Sequence, residues 1–476
     1  MLRRTKVVGT LGPATDDVAT LREVVRAGLD VARFNLSHGS HDDHRARADG
    51  LRRVAREARR YVGVLCDLQG PKIRTAAFTD GFVELASGQS FFLDPDFDPK
   101  GGTTEGVGVG YAGLPDDVAP GDVLLLADGL LRLKVTRVEG RRVHTEVEQG
   151  GTLSNQKGIN RLGGGLSVDA LTDKDRQDVR LAAEMEADYL AVSFCQGADD
   201  VNDARDLLRQ AGGDAGIVAK IERQEAVHNI EAIMHAADAV MIARGDLGVE
   251  IGDAELPGVQ KRIMRLAREL DCVVITATQM MQSMVSSPVP TRAEVLDVAN
   301  AVLDGTDAVM LSEETAVGRY PAAAVGAMDR VCTGAEHYLD EAQPFRHPED
   351  RYGRVDEAIA KSAIDAANHL GVAAIAALTE SGATVMWMSR VGTSIPVYAM
   401  SEQARTRSKV TLYRGVHPVD FDPTAFERGV VDRYVVAELR RMGAVRDGDH
   451  VLITKGDEAG VAGGTNTMKI VPVGEG

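Results

Sequence analysis

Hydrophobic positions along this chain follow two recurring patterns. Short, β-branched apolar runs alternate with longer stretches in which apolar residues return every three to four positions. The first block predicts strands near Lys6 to Leu11, Val31 to Leu36 and Val62 to Asp67, with helices over Thr20 to Ala27 and Asp42 to Arg60 between them. From about Thr75 to Gly150 the helical period disappears. Phe82-Val-Glu-Leu, Phe91-Phe-Leu, Val123-Leu-Leu-Leu-Ala and Leu133-Lys-Val-Thr-Arg-Val, punctuated by Gly and Pro, predict an inserted small all-β domain, set at residues 75–168. The βα rhythm resumes at Leu171, with strands near Tyr189 to Phe194, Ile217 to Ile221, Ala239 to Ala243, Val273 to Ala277 and Asp307 to Leu311.

Three strands before the insertion and five after it close most naturally as a parallel (β/α)8 barrel, built from residues 1–74 and 169–342, with active-site groups at the C-terminal ends of its strands. After a helix running to about Leu339, the polar stretch Glu341 to Arg354 reads as a linker. A third domain, residues 352–476, then alternates again, with a helix over Val355 to Leu370 and strands at Ala373 to Leu378, Pro396 to Met400, Val451 to Thr454 and Met468 to Val471. It predicts an open α/β sheet.

Composition narrows the function class. A net charge of −17 over 476 residues excludes nucleic acid or an anionic membrane as a bulk partner, so any phosphate site must be locally basic. Cys66, Cys195, Cys272 and Cys332 lie far apart in or beside apolar runs and read as reduced, buried thiols of a cytoplasmic protein. The basic start is followed by only Val7 and Val8 before Gly9, so neither a signal peptide nor a membrane span is expected.

Charged and polar residues recur where apolar strands end. Strand two ends in Arg33-Phe-Asn35-Leu-Ser37-His38, strand three in Asp67-Leu68-Gln-Gly-Pro-Lys72-Ile-Arg74, strand five in Lys220-Ile-Glu222, and strand six in Arg244-Gly245-Asp246. Strand seven closes on Thr276-Ala-Thr278-Gln and strand eight on Ser312-Glu-Glu314. Any one of these alone is as readily a solvated loop residue or an ion pair. Together they supply two carboxylates for a hard divalent cation, Glu222 and Asp246, and several cations for phosphate, which is equipment for phosphoryl transfer.

The segments Thr10-Leu-Gly-Pro-Ala, Asn35-Leu-Ser-His-Gly, Lys220-Ile-Glu, Ala243-Arg-Gly-Asp-Leu-Gly-Val-Glu and Thr276-Ala-Thr-Gln-Met closely resemble the hallmark motifs of pyruvate kinases, in that family's order and over nearly the whole chain. The resemblance implies an enzyme transferring the phosphoryl group of phosphoenolpyruvate to ADP, giving pyruvate and ATP, as a cytoplasmic homotetramer. It implies Glu222 and Asp246 as ligands of Mg2+ or Mn2+, and the backbone N–H groups of Gly245 and Asp246 as partners of the substrate carboxylate. Lys220 is implied beside the transferring phosphoryl group and Arg33 as its holder. Thr278 is implied to contact the substrate and, with Ser312 and Glu314, to protonate the enolate. Asn35, His38, Arg74 and Lys157 are implied around the ADP phosphates.

Two departures matter. Many family members have Glu at the position of Lys72 and bind potassium through groups matching Asn35, Ser37, Asp67 and the residue that is Leu68 here. A lysine ammonium there predicts activity without potassium. The stretch Lys157-Gly-Ile-Asn-Arg-Leu-Gly-Gly-Gly also departs from the commoner family form. In the third domain, Thr379-Glu-Ser381-Gly382-Ala-Thr384 opens a helix and can hold an anion. The family places a sugar-phosphate or nucleotide effector in this region, while a capped helix start with no ligand reads equally well.

His38, His41 and His44 crowd one helix start, but no further ligand completes a transition-metal site. Gly106-Val-Gly-Val-Gly opens no predicted helix, and no Walker A motif exists in the chain. Two rivals remain: a barrel lyase acting on a pyruvate enolate, and a catalytically silent metabolite-binding homologue. The first would not need the inserted domain, and the second should have lost one of Lys220, Glu222, Asp246 or Thr278.

Overall fold

A computed structural model describes residues 2–341, 352–427, 429–457 and 463–474. Eight parallel strands close a barrel: Lys6–Leu11, Val31–Asn35, Gly63–Asp67, Tyr189–Val192, Gly216–Ile221, Ala239–Ala243, Val273–Ala277 and Ala308–Leu311. The first pairs with both the second and the last. Strand ends fall within a few residues of the pattern-based expectation. Phe194 is the main difference, because a left-handed turn at φ 56° takes it out of the fourth strand.

Side-chain direction alternates along each strand, and the barrel turns that alternation into two environments. In the fifth strand Ala219 and Ile221 face the surrounding helices, whereas Val218 joins the barrel interior. Lys220 and Glu222 share the inward register of Val218. The second strand repeats this, with Ala32 and Phe34 outward and Val31 inward, so Arg33 and Asn35 also point in. Leu65 inward and Cys66 outward put Asp67 in the same inward set. The interior is thus apolar toward the strand starts and ionic at their C-terminal ends. Its apolar part continues without a break into Ile375, Val397 and Leu412 of the C-terminal region.

Between the third and fourth barrel strands, a six-stranded and a two-stranded sheet enclose their own apolar core, including Phe91, Leu93, Leu124, Leu133 and Val143. Gly106–Gly108 is an edge strand of the larger sheet. The chain enters and leaves this region side by side: Arg74 bridges to Gly158, and Thr75 N–H donates to the Lys157 carbonyl at 2.8 Å. The C-terminal region forms a five-stranded sheet, four parallel strands with an antiparallel edge. It includes Val416–Asp420, a strand the hydrophobic pattern did not reveal because Pro418 and two polar residues break its apolar run. Of the linker expected from Glu341 to Arg354, residues 342–351 lie outside the described residues.

Candidate active site

At the barrel's C-terminal mouth the inward residues of the second, third and fifth strands form one ionic cluster. Asp67, 1 % exposed, accepts Arg33 Nε on Oδ2 at 2.7 Å and places Oδ1 3.3 Å from Lys220 Nζ. Lys220 Nζ also pairs with Glu222 Oε1 at 2.9 Å and donates to Ser193 Oγ at 2.7 Å. Arg33 completes its contacts on Thr10 Oγ1 at 3.0 Å. Burial raises the cost of ionising Asp67, but Lys220 and Arg33 outweigh it and hold the carboxyl below its usual range. Burial likewise opposes the Lys220 charge, and Asp67 with Glu222 overcomes it, so the ammonium stays protonated at neutral pH.

Glu222 is raised instead, first by burial and then by the negative charge of Asp246, against the pull of Lys220. Its second oxygen accepts the Phe194 N–H at 2.8 Å. Two hard carboxylates at the ends of adjacent strands, with the Glu222 charge opposed by that of Asp246, fit a divalent cation. Among the described residues no group of three or more His, Cys, Asp or Glu offers a self-sufficient metal cage. Lys72 also reaches this mouth. Its ammonium pairs with Asp246 Oδ1 at 2.9 Å and makes no hydrogen bond to Asn35, Ser37, Asp67 or Leu68. Those four are engaged within the protein: Asn35 Oδ1 accepts Ser37 N–H, Asp67 holds Arg33, and the Leu68 carbonyl accepts Ser193 Oγ–H at 2.8 Å.

The seventh and eighth strand ends form the opposite wall. Thr278 and Gln279 both lie in the left-handed region, at φ 69° and 55°, a conformation costly for a β-branched residue and held here by its contacts. Thr278 Oγ1 accepts the Gly245 N–H at 2.8 Å and donates to the Ala277 carbonyl. The Gly245 N–H, expected to meet the substrate carboxylate, thus lies beside Thr278, the other residue expected to contact substrate. The Asp246 N–H, in the first turn of the helix Arg244–Ile251, has no acceptor within that helix. Glu314, fully buried and raised by burial, ties the two loops together by accepting Ser312 N–H at 2.6 Å and Met281 N–H at 3.1 Å.

The nucleotide candidates lie on two sides. Arg74 and Lys157, distant in sequence, meet at the crossing of the two connections, where Arg74 Nη1 donates to the Gln156 carbonyl at 3.0 Å. Exposed His38 and half-buried Asn35 lie on the second strand's loop, whose His38 carbonyl accepts His44 Nε2 at 2.8 Å. His41 bonds Asp178 at 2.7 Å, so the His41 and His44 imidazoles serve the helix packing. A shallow cleft lies between the inserted region and the mouth, lined in part by Lys72, Phe194, Arg223 and Glu250.

In the C-terminal region, Gly382, at φ 81°, donates its N–H to Thr379 Oγ1 at 3.0 Å at the start of the helix Ala383–Val391. Thr384 does not present its hydroxyl there. It is buried, 2.7 Å from Thr465 Oγ1, because its place on the helix faces the sheet. Ser193, Phe194 and Thr10 were missed as site residues. They stand at the ends of the first and fourth strands, which carry no charged residue to mark them. The inward alternation Tyr189, Ala191, Ser193 could have found the first.

The profile for the pyruvate kinase barrel domain matches residues 2–325, and that for the pyruvate kinase alpha/beta domain matches residues 357–471. The chain is 54 % identical over 478 residues to pyruvate kinase II of Salmonella typhimurium, covering 99 % of each. It is 51 % identical to a pyruvate kinase of Haemophilus influenzae, covering 96 % of each. A crystal structure of a pyruvate kinase from Cryptosporidium parvum superimposes with a TM-score of 0.90 at 32 % identity, over 99 % of this chain and 96 % of that one. On profile, sequence and fold together, this chain belongs to the pyruvate kinase family.

Proposed function

We propose that the chain transfers the phosphoryl group of phosphoenolpyruvate to ADP, producing pyruvate and ATP, with Lys220, Arg33, Thr278 and Ser312 as its catalytic groups. The observation that carries this reading is the cluster in which Asp67 holds Arg33 and Lys220 together above an apolar barrel floor. Two fixed cations side by side suit a phosphoryl group and the enolate it leaves behind, and a preformed arrangement needs no reorganisation as that charge develops. A divalent cation, Mg2+ or Mn2+, held by Glu222 and Asp246 would draw negative charge from the substrate's oxygens. Arg33 holds the phosphoryl group, and Lys220 faces the bridging oxygen. Thr278 and Ser312, with buried Glu314 between their loops, supply the proton to the enolate carbon. Protonation to the ketone drives the transfer forward. Asn35, His38, Arg74 and Lys157 take the ADP phosphates.

Potassium is not required on this reading, because Lys72, Lys220 and Arg33 already balance Asp67 and Asp246. A homotetramer is supported by exposed Val289, Leu296 and Val317 on the barrel and by Met468 and Ile470 on the edge strand of the C-terminal sheet. Thr379, Ser381 and Gly382 would hold a sugar-phosphate or nucleotide effector. A cytoplasmic location accords with four buried free cysteines. The catalytic barrel comprises residues 1–74 and 169–342, the inserted domain 75–168 and the C-terminal domain 352–476. The test is pyruvate formation from phosphoenolpyruvate and ADP with Mg2+, in wild type and Lys220→Met. Activity that collapses in the variant supports the reading, and no pyruvate from wild type with sodium or potassium, effectors included, returns it to the silent-homologue alternative.

A further inference from the structure

We infer that Ser193 is a positioning residue for Lys220, fixing the rotation of its ammonium so that one N–H faces the transferring phosphoryl group. The inference rests on the phosphotransfer reading above. An ammonium has three donors and turns freely unless acceptors hold it. Lys220 Nζ has Glu222 Oε1 at 2.9 Å and Ser193 Oγ at 2.7 Å. Asp67 Oδ1, at 3.3 Å, pairs by charge but is left without a hydrogen bond. The Ser193 hydroxyl cannot rotate away, because its own proton is given to the Leu68 carbonyl at 2.8 Å. It can meet Lys220 only as an acceptor. Ser193 thus fixes one ammonium donor by a hydrogen bond, while Glu222 and Asp67 hold the nitrogen in place by charge and leave a donor for substrate.

The serine is itself held firmly. It lies 1 % exposed at the end of the fourth barrel strand, next to Phe194 in its left-handed conformation. A side chain at Gly70 would come within 2.7 Å of Ser193 Cβ and 2.9 Å of Phe194 Cδ2, so only glycine, here at φ 66°, lets the third strand's loop close over this turn. The same turn aims the Phe194 N–H at Glu222 Oε2. One rigid corner thus sets the neighbour of the ammonium and the orientation of the carboxylate beside it.

Without the hydroxyl, the freed N–H would turn toward the unbonded Asp67 Oδ1 and draw Lys220 off its line, and misplacement of a catalytic group by about 1 Å costs about 10²-fold in rate. The experiment compares Ser193→Ala, Ser193→Thr and Lys220→Met for kcat, KM for phosphoenolpyruvate, Mn2+ affinity by electron paramagnetic resonance, and thermal midpoint. Expected for Ser193→Ala is a kcat loss of about 10- to 100-fold with KM and Mn2+ affinity within about 3-fold, most of the loss being recovered in Ser193→Thr. A kcat within about 2-fold of wild type, parallel changes in kcat and KM, or a folded Ser193→Thr as slow as the alanine variant overturns the inference. If the threonine variant does not fold, a crystal structure of Ser193→Ala decides: Lys220 Nζ moved onto Asp67 supports it, and an unmoved Nζ overturns it. Lys220→Met and wild type separate the levels. Collapse of Lys220→Met beside an unaffected Ser193→Ala removes only the positioning role, an active Lys220→Met removes the catalytic role of Lys220 and this inference with it, and a wild type that gives no pyruvate removes the phosphotransfer reading itself.

Discussion

Replacing Asp67 by Asn tests how much of the site depends on one buried charge. Asp67 stands 2.7 Å from Arg33 Nε and 3.3 Å from Lys220 Nζ, and all three groups are less than one-tenth exposed. At an effective dielectric of about 20, a charge pair at such distances is worth about 5 kcal/mol before desolvation. Removing one partner of a buried pair costs about 3–5 kcal/mol, because the remaining charge stays buried and unbalanced. Asn keeps the shape and an oxygen for Arg33, so the lower figure, about 3 kcal/mol, is expected. For a barrel of this size that lowers its thermal midpoint by roughly 6–12 °C. The folded-state carboxyl titrates below its unfolded value, so its contribution is fully present above an ordinary Asp pKa of about 3.9 and is lost only as pH falls further. The deficit of Asp67→Asn should therefore be constant from pH 5 to 8. Scanning calorimetry across that range, with kcat measured alongside, is the assay. A midpoint unchanged within a degree or two together with wild-type kcat would show that Arg33 and Lys220 do not rely on Asp67.

Four further substitutions have definite expected outcomes. Lys72→Glu removes the cation on Asp246 and adds a carboxylate nearby, so activity should come to depend on potassium, and titration of wild type and variant with KCl against NaCl checks it. Glu250 is pushed up to about 7 by burial, with Arg223 and Glu225 as its charged neighbours. A carboxyl raised in the fold costs stability as pH climbs from its unfolded value through 7, so Glu250→Gln should be more stable than wild type at pH 8 by roughly 2–3 kcal/mol and no more stable at pH 4.5, read from thermal midpoints. In the C-terminal loop, Ser381→Ala should weaken the response to a sugar-phosphate or nucleotide effector in activation assays. Thr384→Val should leave that response intact and cost about 1 kcal/mol in thermal stability, since its hydroxyl bonds Thr465 within the core.

Much of this protein was legible in its sequence because the signals are local. A strand buried on both faces reads as an apolar run, and the break in that run at Lys220-Ile-Glu222 marks both the strand end and the inward direction of the two charged side chains. The same logic found Arg33, Asp67 and Asp246, and the shift from helical to strand period announced the inserted region near Thr75. The motifs added the family and the roles expected of each residue.

Partnership between distant residues was decided by tertiary structure. Barrel closure and register bring Asp67 against Lys220 and Arg33, and no local pattern states which carboxylate meets which cation. The same holds for Lys72 reaching Asp246, for Thr278 taking the Gly245 N–H, and for Thr384 turning toward Thr465. Ser193 carries no charge, so its importance follows only from lying within hydrogen-bonding distance of both Lys220 and the Leu68 carbonyl. Local sequence sets which way a side chain points, through the two-residue period of a strand. What it points at depends on how eight separate strands align, and that is settled by packing the whole barrel.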